Sequence, residues 1–255
     1  MKKIRDIIEK IIFIIACIVF VYSSYQLISY YIKMGQVKQE FVAVEEEAFS
    51  TEQVIKEELA VPKKKKKKKF NYAALKKKNE DCIGWITVKN TIINYPIMYK
   101  QGDNDFYLDH NFAKEYSIAG TPFVDGNCDP KKENSHLIIY AHHMRNGSMF
   151  AQLEKYKEKE FYDKNKTITV YIENKKYTYE VFGANAISAI DDYELYDFSR
   201  LETEEGYKKY IEEIKEKVAY DTENEPQENE PLLLLSTCDY TKKEGRMIVI
   251  AKRIS

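Results

Sequence analysis

At 255 residues, 44% hydrophobic and 32% charged, the chain has a globular composition with ample length for a core of one or two domains. Its formal net charge of −1 conceals an asymmetry. Residues 1–69 hold 14 of the 40 basic and 9 of the 41 acidic side chains, leaving 26 against 32, a charge of −6, in residues 70–255. A body of that sign lacks the basic footprint of a nucleic-acid binder, and no glycine-rich phosphate loop marks a nucleotide site.

Residues 11–32 form an uncharged apolar run of 22 residues. As a helix it spans about 33 Å, enough to cross a hydrocarbon core. Lys2, Lys3, Arg5 and Lys10 precede it, and only Lys33 and Lys38 follow closely. This bias predicts a cytoplasmic N-terminus (residues 1–33 with the span) and an exported remainder. The length of the run and the lack of a small-residue cleavage site favour an uncleaved signal-anchor over a removed signal peptide. Residues 34–69 read as a charged spacer: an acidic stretch, helical around 51–59, then Pro62 and a run of lysines from Lys63 to Lys69. That run reads as a solvated extension or as a patch for anionic lipid or wall polymer.

The catalytic or binding body is expected over residues 70–255. Asn71 caps a short helix to Lys78, and residues 85–88 and 91–95 read as strands joined at Lys89-Asn90. Pro96 predicts that the second strand ends there or lies at an edge. Residues 103–111 read as a helical turn and 120–125 as a turn entering a strand. Residues 136–142 form a buried strand with histidine at its exit, and Ser148 is read as the cap of a short helix. Residues 167–172 and 177–182 read as a hairpin around Glu173-Asn174-Lys175-Lys176. Ser199 and Glu202 match a capping box before a helix that buries Tyr207, Tyr210, Ile211, Ile214 and Val218. About eight strands with few helices predict a mostly β fold, a closed barrel carrying helical insertions.

The last two strands carry the chemistry. An apolar run, Leu232 to Leu235, delivers Cys238 to its end, and Arg246 opens the next run. A hairpin sets a nucleophile beside a fixed cation able to hold developing negative charge. Of the four cysteines (17, 82, 128 and 238), Cys82 and Cys128 are a candidate bridge, which leaves Cys238 free. The thiol needs a base, and His142 and His143, where a strand exits into a loop, rank above His110 and His136. Alternation does not separate the two. No third ligand is spaced to make a zinc site, and no cofactor is expected.

Leu234-Leu235-Ser236-Thr237-Cys238, with Arg246 at its offset, resembles the TLxTC signature of sortases. Tyr140-Ala141-His142-His143-Met144, with Gly147-Ser148-Met149-Phe150, resembles the catalytic-histidine segment of class B sortases, as do Gly84-Trp85-Ile86, Ile93-Asn94-Tyr95-Pro96 and the long helix before the cysteine strand. Leu234 replaces the usual Thr and Ala141 a common Gly. The resemblance covers residues 70–255. It implies a sortase-type barrel behind an N-terminal transmembrane helix, with His142, Cys238 and Arg246 as catalytic residues and Ser236, Thr237 and Asp239 lining the substrate groove. The implied partners are surface proteins bearing a sorting signal, a peptidoglycan precursor amine and the membrane around residues 11–32. The implied reaction is cleavage after threonine through a Cys238 thioester, on the wall side of the cell membrane. The competing expectations are another envelope cysteine peptidase, whose Ser-His-Gly segment is absent, and a non-enzymatic tethered β domain that binds a wall polymer or protein.

Overall fold

The computed structural model describes residues 2–49, 69–227, 229–241 and 243–255. The chain divides into two compact units, Met1–Val42 and Ala43–Ser255.

The first unit lies within helix α1 (Lys2–Ala48). Ile11, Phe13, Phe20 and Leu27 are all exposed, and the helix is long and apolar enough to cross a membrane. The helix runs past residue 34 to Ala48, so the front of the stretch read as a spacer is helical. The helical reading of 51–59 and the lysines from 63 to 68 fall outside the described residues.

The second unit is a closed eight-stranded barrel in the order β1-β2-β3-β4-β7-β8-β6-β5. Strand β1 (Cys82–Val88) is almost wholly buried because both its faces are covered. Trp85, at 0% exposure, joins Val44, Ala48, Leu75, Met98 and Tyr107 in one cluster, and its indole N–H donates to Asn94 Oδ1 at 2.7 Å. Leu75 comes from α2 (Tyr72–Lys78), which Asn71 caps by accepting from the Ala74 N–H. Gly84 is required by close approach: a Cβ there would lie 1.8 Å from the Tyr171 carbonyl oxygen.

Strand β2 (Asn94–Met98) continues through Pro96 instead of ending at it. Its far side meets β3 (Phe123–Val124) only at Met98, so the missing N–H of Pro96 falls on an unpaired stretch. Strand β4 (Leu137–Tyr140) pairs antiparallel with β3 and parallel with β7 (Leu232–Asp239). A parallel pair needs a long crossover. Here it contains a 3₁₀ segment (Ala151–Lys157), α3 (Lys159–Lys164), the hairpin of β5 (Thr167–Ile172) and β6 (Lys175–Ser188), and α4 (Glu204–Lys217). The hairpin turn is tighter than expected: Glu173 and Asn174 alone form it, with Glu173 at φ +52°, and β6 extends to Ser188 because it also pairs with β8 (Gly245–Arg253).

Two expected caps are not formed. Ser199 and Glu202 lie inside a 3₁₀ turn, Phe198–Glu202, capped by Asp197, and α4 is capped instead by Thr203, whose hydroxyl accepts from the Gly206 N–H at 3.1 Å. An extended residue with a free hydroxyl directly before the helix wins over one already in a turn. Ser148 donates to Asn146 Oδ1 within its loop, and Ala151–Lys157 has no side-chain cap. Tyr207, Tyr210, Ile211 and Ile214 of α4 are buried, as the helical periodicity predicts, whereas Val218 is the half-buried, extended residue that ends the helix. With the barrel interior on one side and helical insertions on the other, the four leucines of β7 are each 0% exposed.

Candidate active site

Strand alternation sorts the residues at the end of β7. Ser236 and Cys238 share one face, and Thr237 and Asp239 share the other. Across the antiparallel ladder Cys238 is directly opposite Arg246, and such partners project to the same side. Both are half-buried, so the pair lies where the sheet reaches solvent. The Arg246 Nη1 donates to the Gly245 carbonyl at 3.0 Å.

On the other flank the parallel register sets Tyr140 against Ser236. His142 is two residues beyond Tyr140, as Cys238 is two beyond Ser236, so the histidine segment leaves the sheet beside the cysteine. The His142 Nε2 donates to the Leu108 carbonyl at 2.7 Å, and its own carbonyl accepts from the Phe150 N–H at 3.0 Å. His143, with a side chain only 13% exposed, places Nδ1 3.0 Å from the Cys238 carbonyl oxygen. His136 and His110 are elsewhere. His136 Nδ1 accepts from the Leu232 N–H at the opposite end of β7, where burial, then Lys132 and Arg253, lowers its pKa to about 4. His110 stacks on Phe106.

The three residues expected to line a groove separate. Ser236 shares a 2.9 Å hydrogen bond with the Tyr196 hydroxyl on the cysteine side. Thr237 and Asp239 do not reach that side: both are buried on the opposite face, by the same alternation that exposes Cys238. Asp239 pairs with Lys157 and accepts from the Thr241 N–H at 2.8 Å. Burial opposes its charge, but the hydrogen bonds from Lys157 and Thr241 prevail and hold its carboxyl below the usual range.

Tyr196 is a neighbour that sequence reading misses. It stacks on Tyr140 with ring centroids 6.1 Å apart, and its hydroxyl is pushed up to about 12, by burial first, against the hydrogen bond with Ser236. It lies within electrostatic reach of both Arg246 and Cys238. Nothing in its local sequence signals this, because the crossover before α4 brings it back from forty residues away. The four cysteines are free thiols, Cys82 and Cys128 both buried, so the candidate bridge is not formed. Among the described residues no cluster of His, Cys, Asp or Glu has the arrangement of a metal site.

Comparison with known proteins agrees with this geometry. A family model described as the sortase domain matches residues 86–254. Sortase B of Staphylococcus aureus is 28% identical over 256 residues, covering 100% of this chain and 98% of its own length. Sortase B of Listeria monocytogenes is 33% identical over 187 residues, 71% of this chain and 73% of its own. The crystal structure of Clostridium perfringens sortase B superposes with a TM-score of 0.66 at 36% identity, covering 72% of this chain and 100% of that one. The barrel, the cysteine–arginine strand pair and these likenesses together make the chain a member of the sortase family of cysteine transpeptidases, in its class B branch.

Proposed function

We propose that this chain is a membrane-anchored transpeptidase that cleaves a sorting signal after threonine and joins the new end to a peptidoglycan amine, with Cys238, Arg246 and His142 as its catalytic residues. The observation that carries the reading is the direct cross-strand pairing of Cys238 with Arg246, at the point where the His142 segment leaves the neighbouring strand.

In the first half-reaction the Cys238 thiolate attacks the threonyl carbonyl, and the negative charge on that oxygen is held by the Arg246 guanidinium. As the C–N bond breaks, the His142 imidazolium protonates the departing amine. Nε2 is committed to the Leu108 carbonyl, so Nδ1 is the nitrogen left to exchange this proton. In the second half-reaction an acceptor amine attacks the thioester, gives its proton to neutral His142, and the C–S bond breaks to restore the thiolate. Ser236, bonded to Tyr196, lies on the peptide's side of the strand. Residues 11–32 form the anchor, with the N-terminus cytoplasmic and the barrel facing the wall, as the flanking lysines and arginine favour.

The test uses the full-length chain in detergent micelles with a panel of fluorogenic threonine-containing pentapeptides, with and without hydroxylamine to resolve a thioester. Cleavage and a mass-detectable acyl adduct on Cys238 are expected, both lost in Cys238→Ala, with turnover strongly reduced in His142→Ala. Full activity of Cys238→Ala sinks the reading, and a normal His142→Ala reassigns the acid–base group.

A further inference from the structure

The hydrogen-bond ladder between β4 and β7 reaches an irregular step beside Cys238, and a side chain completes it. In a parallel ladder, every second N–H of one strand donates to every second carbonyl of its neighbour. The Ala141 N–H donates to the Ser236 carbonyl at 3.3 Å, so the next rung is due from the His143 N–H to the Cys238 carbonyl. The Cys238 carbonyl receives its bond from the His143 imidazole instead, at 3.0 Å. A carbonyl oxygen only accepts, so Nδ1 carries the proton.

The backbone has meanwhile turned aside. The His142 carbonyl takes the Phe150 N–H, and His143 bridges to Met149, a buried non-glycine residue at φ +56°. An imidazole reaches farther than a backbone N–H, so β4 peels away at His142 while the Cys238 carbonyl stays tied to the same corner. Further contacts hold the ring in place. The Tyr240 hydroxyl donates to the His143 carbonyl at 3.2 Å, and its ring meets the imidazole edge-on at 5.2 Å. The Glu154 carboxylate lies 3.8 Å from Nδ1.

We propose that His143 is a positioning residue for acyl transfer: its imidazole replaces one backbone rung and thereby sets the spacing between Cys238 and His142. The proposal rests on reading those two as the reacting pair. The family resemblance makes His143 no more than the neighbour of His142, whereas the ladder makes it the tie between the two strands that carry the chemistry. A misplacement near 1 Å at reacting atoms costs about a hundredfold in rate.

The experiment compares His143→Asn, whose amide N–H occupies the place of Nδ1–H, with His143→Leu, which fills similar volume without a donor. The full-length chain in micelles is assayed on the pentapeptide that wild type cleaves fastest. Melting temperature is recorded, and iodoacetamide labelling is followed at the Cys238 peptide by mass spectrometry. His143→Leu is expected to lower kcat about tenfold or more with KM within about twofold, and His143→Asn to recover most of that loss. Labelling of Cys238 is expected to slow in the same order. Equal kcat in wild type and His143→Leu overturns the proposal. So does a loss that follows the melting temperature alone and is shared by Leu and Asn. If wild type cleaves no pentapeptide, the functional reading fails, and the labelling order, which needs no substrate, still decides the role of His143.

Discussion

Arg246 shows how much a single side chain is asked to do. One of its N–H groups donates to the Gly245 carbonyl, and its backbone is paired directly opposite Cys238. A lysine carries the same charge without the planar guanidinium fork, so Arg246→Lys is expected to lower kcat by about a hundredfold. Unchanged turnover on the cleaved pentapeptide would remove Arg246 from the mechanism. The pairing was legible in the sequence because a short loop between two apolar runs leaves few registers, and in the structure the ladder runs on to Asp239 opposite Gly245. The partners of Asp239 and Ser236 were not legible: Lys157 and Tyr196 arrive from 82 and 40 residues away. A different histidine contributes to acid stability. His136 titrates near 6.5 in the unfolded chain and at about 4 in the fold, so the unfolded state binds the extra proton between those values. The His136 contribution to stability is therefore full above about pH 6.5 and declines as pH falls toward 4. Urea midpoints measured at pH 7 and 4.5 should differ less in His136→Asn, whose amide oxygen can still accept from Leu232. An unaltered difference would assign the acid loss to other groups.

At the scale of elements, close approach and packing decide what periodicity cannot. Gly84 sits in β1 with no positive φ to announce it, yet a side chain there would strike the backbone of β5. Gly84→Ala should destabilise the barrel by about 3 kcal/mol or more, measured by chemical denaturation, because backbone on both sides cannot yield. A cost below about 1 kcal/mol would mean that β1 and β5 can separate locally. The two missed caps have a related cause: a capping motif read from spacing competes with hydroxyls and turns that only the local backbone reveals. The last turn of α1 teaches the same lesson about boundaries. Val44 and Ala48 are buried, and Phe49 meets Trp85 edge-on at 5.6 Å and Phe70 at 5.5 Å. A chain starting at residue 70 uncovers that aromatic cluster, so it should be less stable than one starting at 43 by about 2–4 kcal/mol. Equal melting temperatures for the two chains would show the cluster to be energetically idle.

For the molecule as a whole, alternating apolar runs and turn residues were enough to predict a closed mostly β barrel with helical insertions. Its strand order was beyond reach, since β4 beside β7 and β6 beside β8 are set by chain crossovers and not by local pattern. That order has a consequence in time. β4, with the histidine corner at its exit, is made more than ninety residues before the strand that carries Cys238. A chain that ends before β7 leaves β4 and β6 as open edges, and the barrel closes only when β7 and β8 fill the gap between them. The cysteine–arginine strand pair and the histidine corner therefore come together only in the last step of assembly, as the barrel closes.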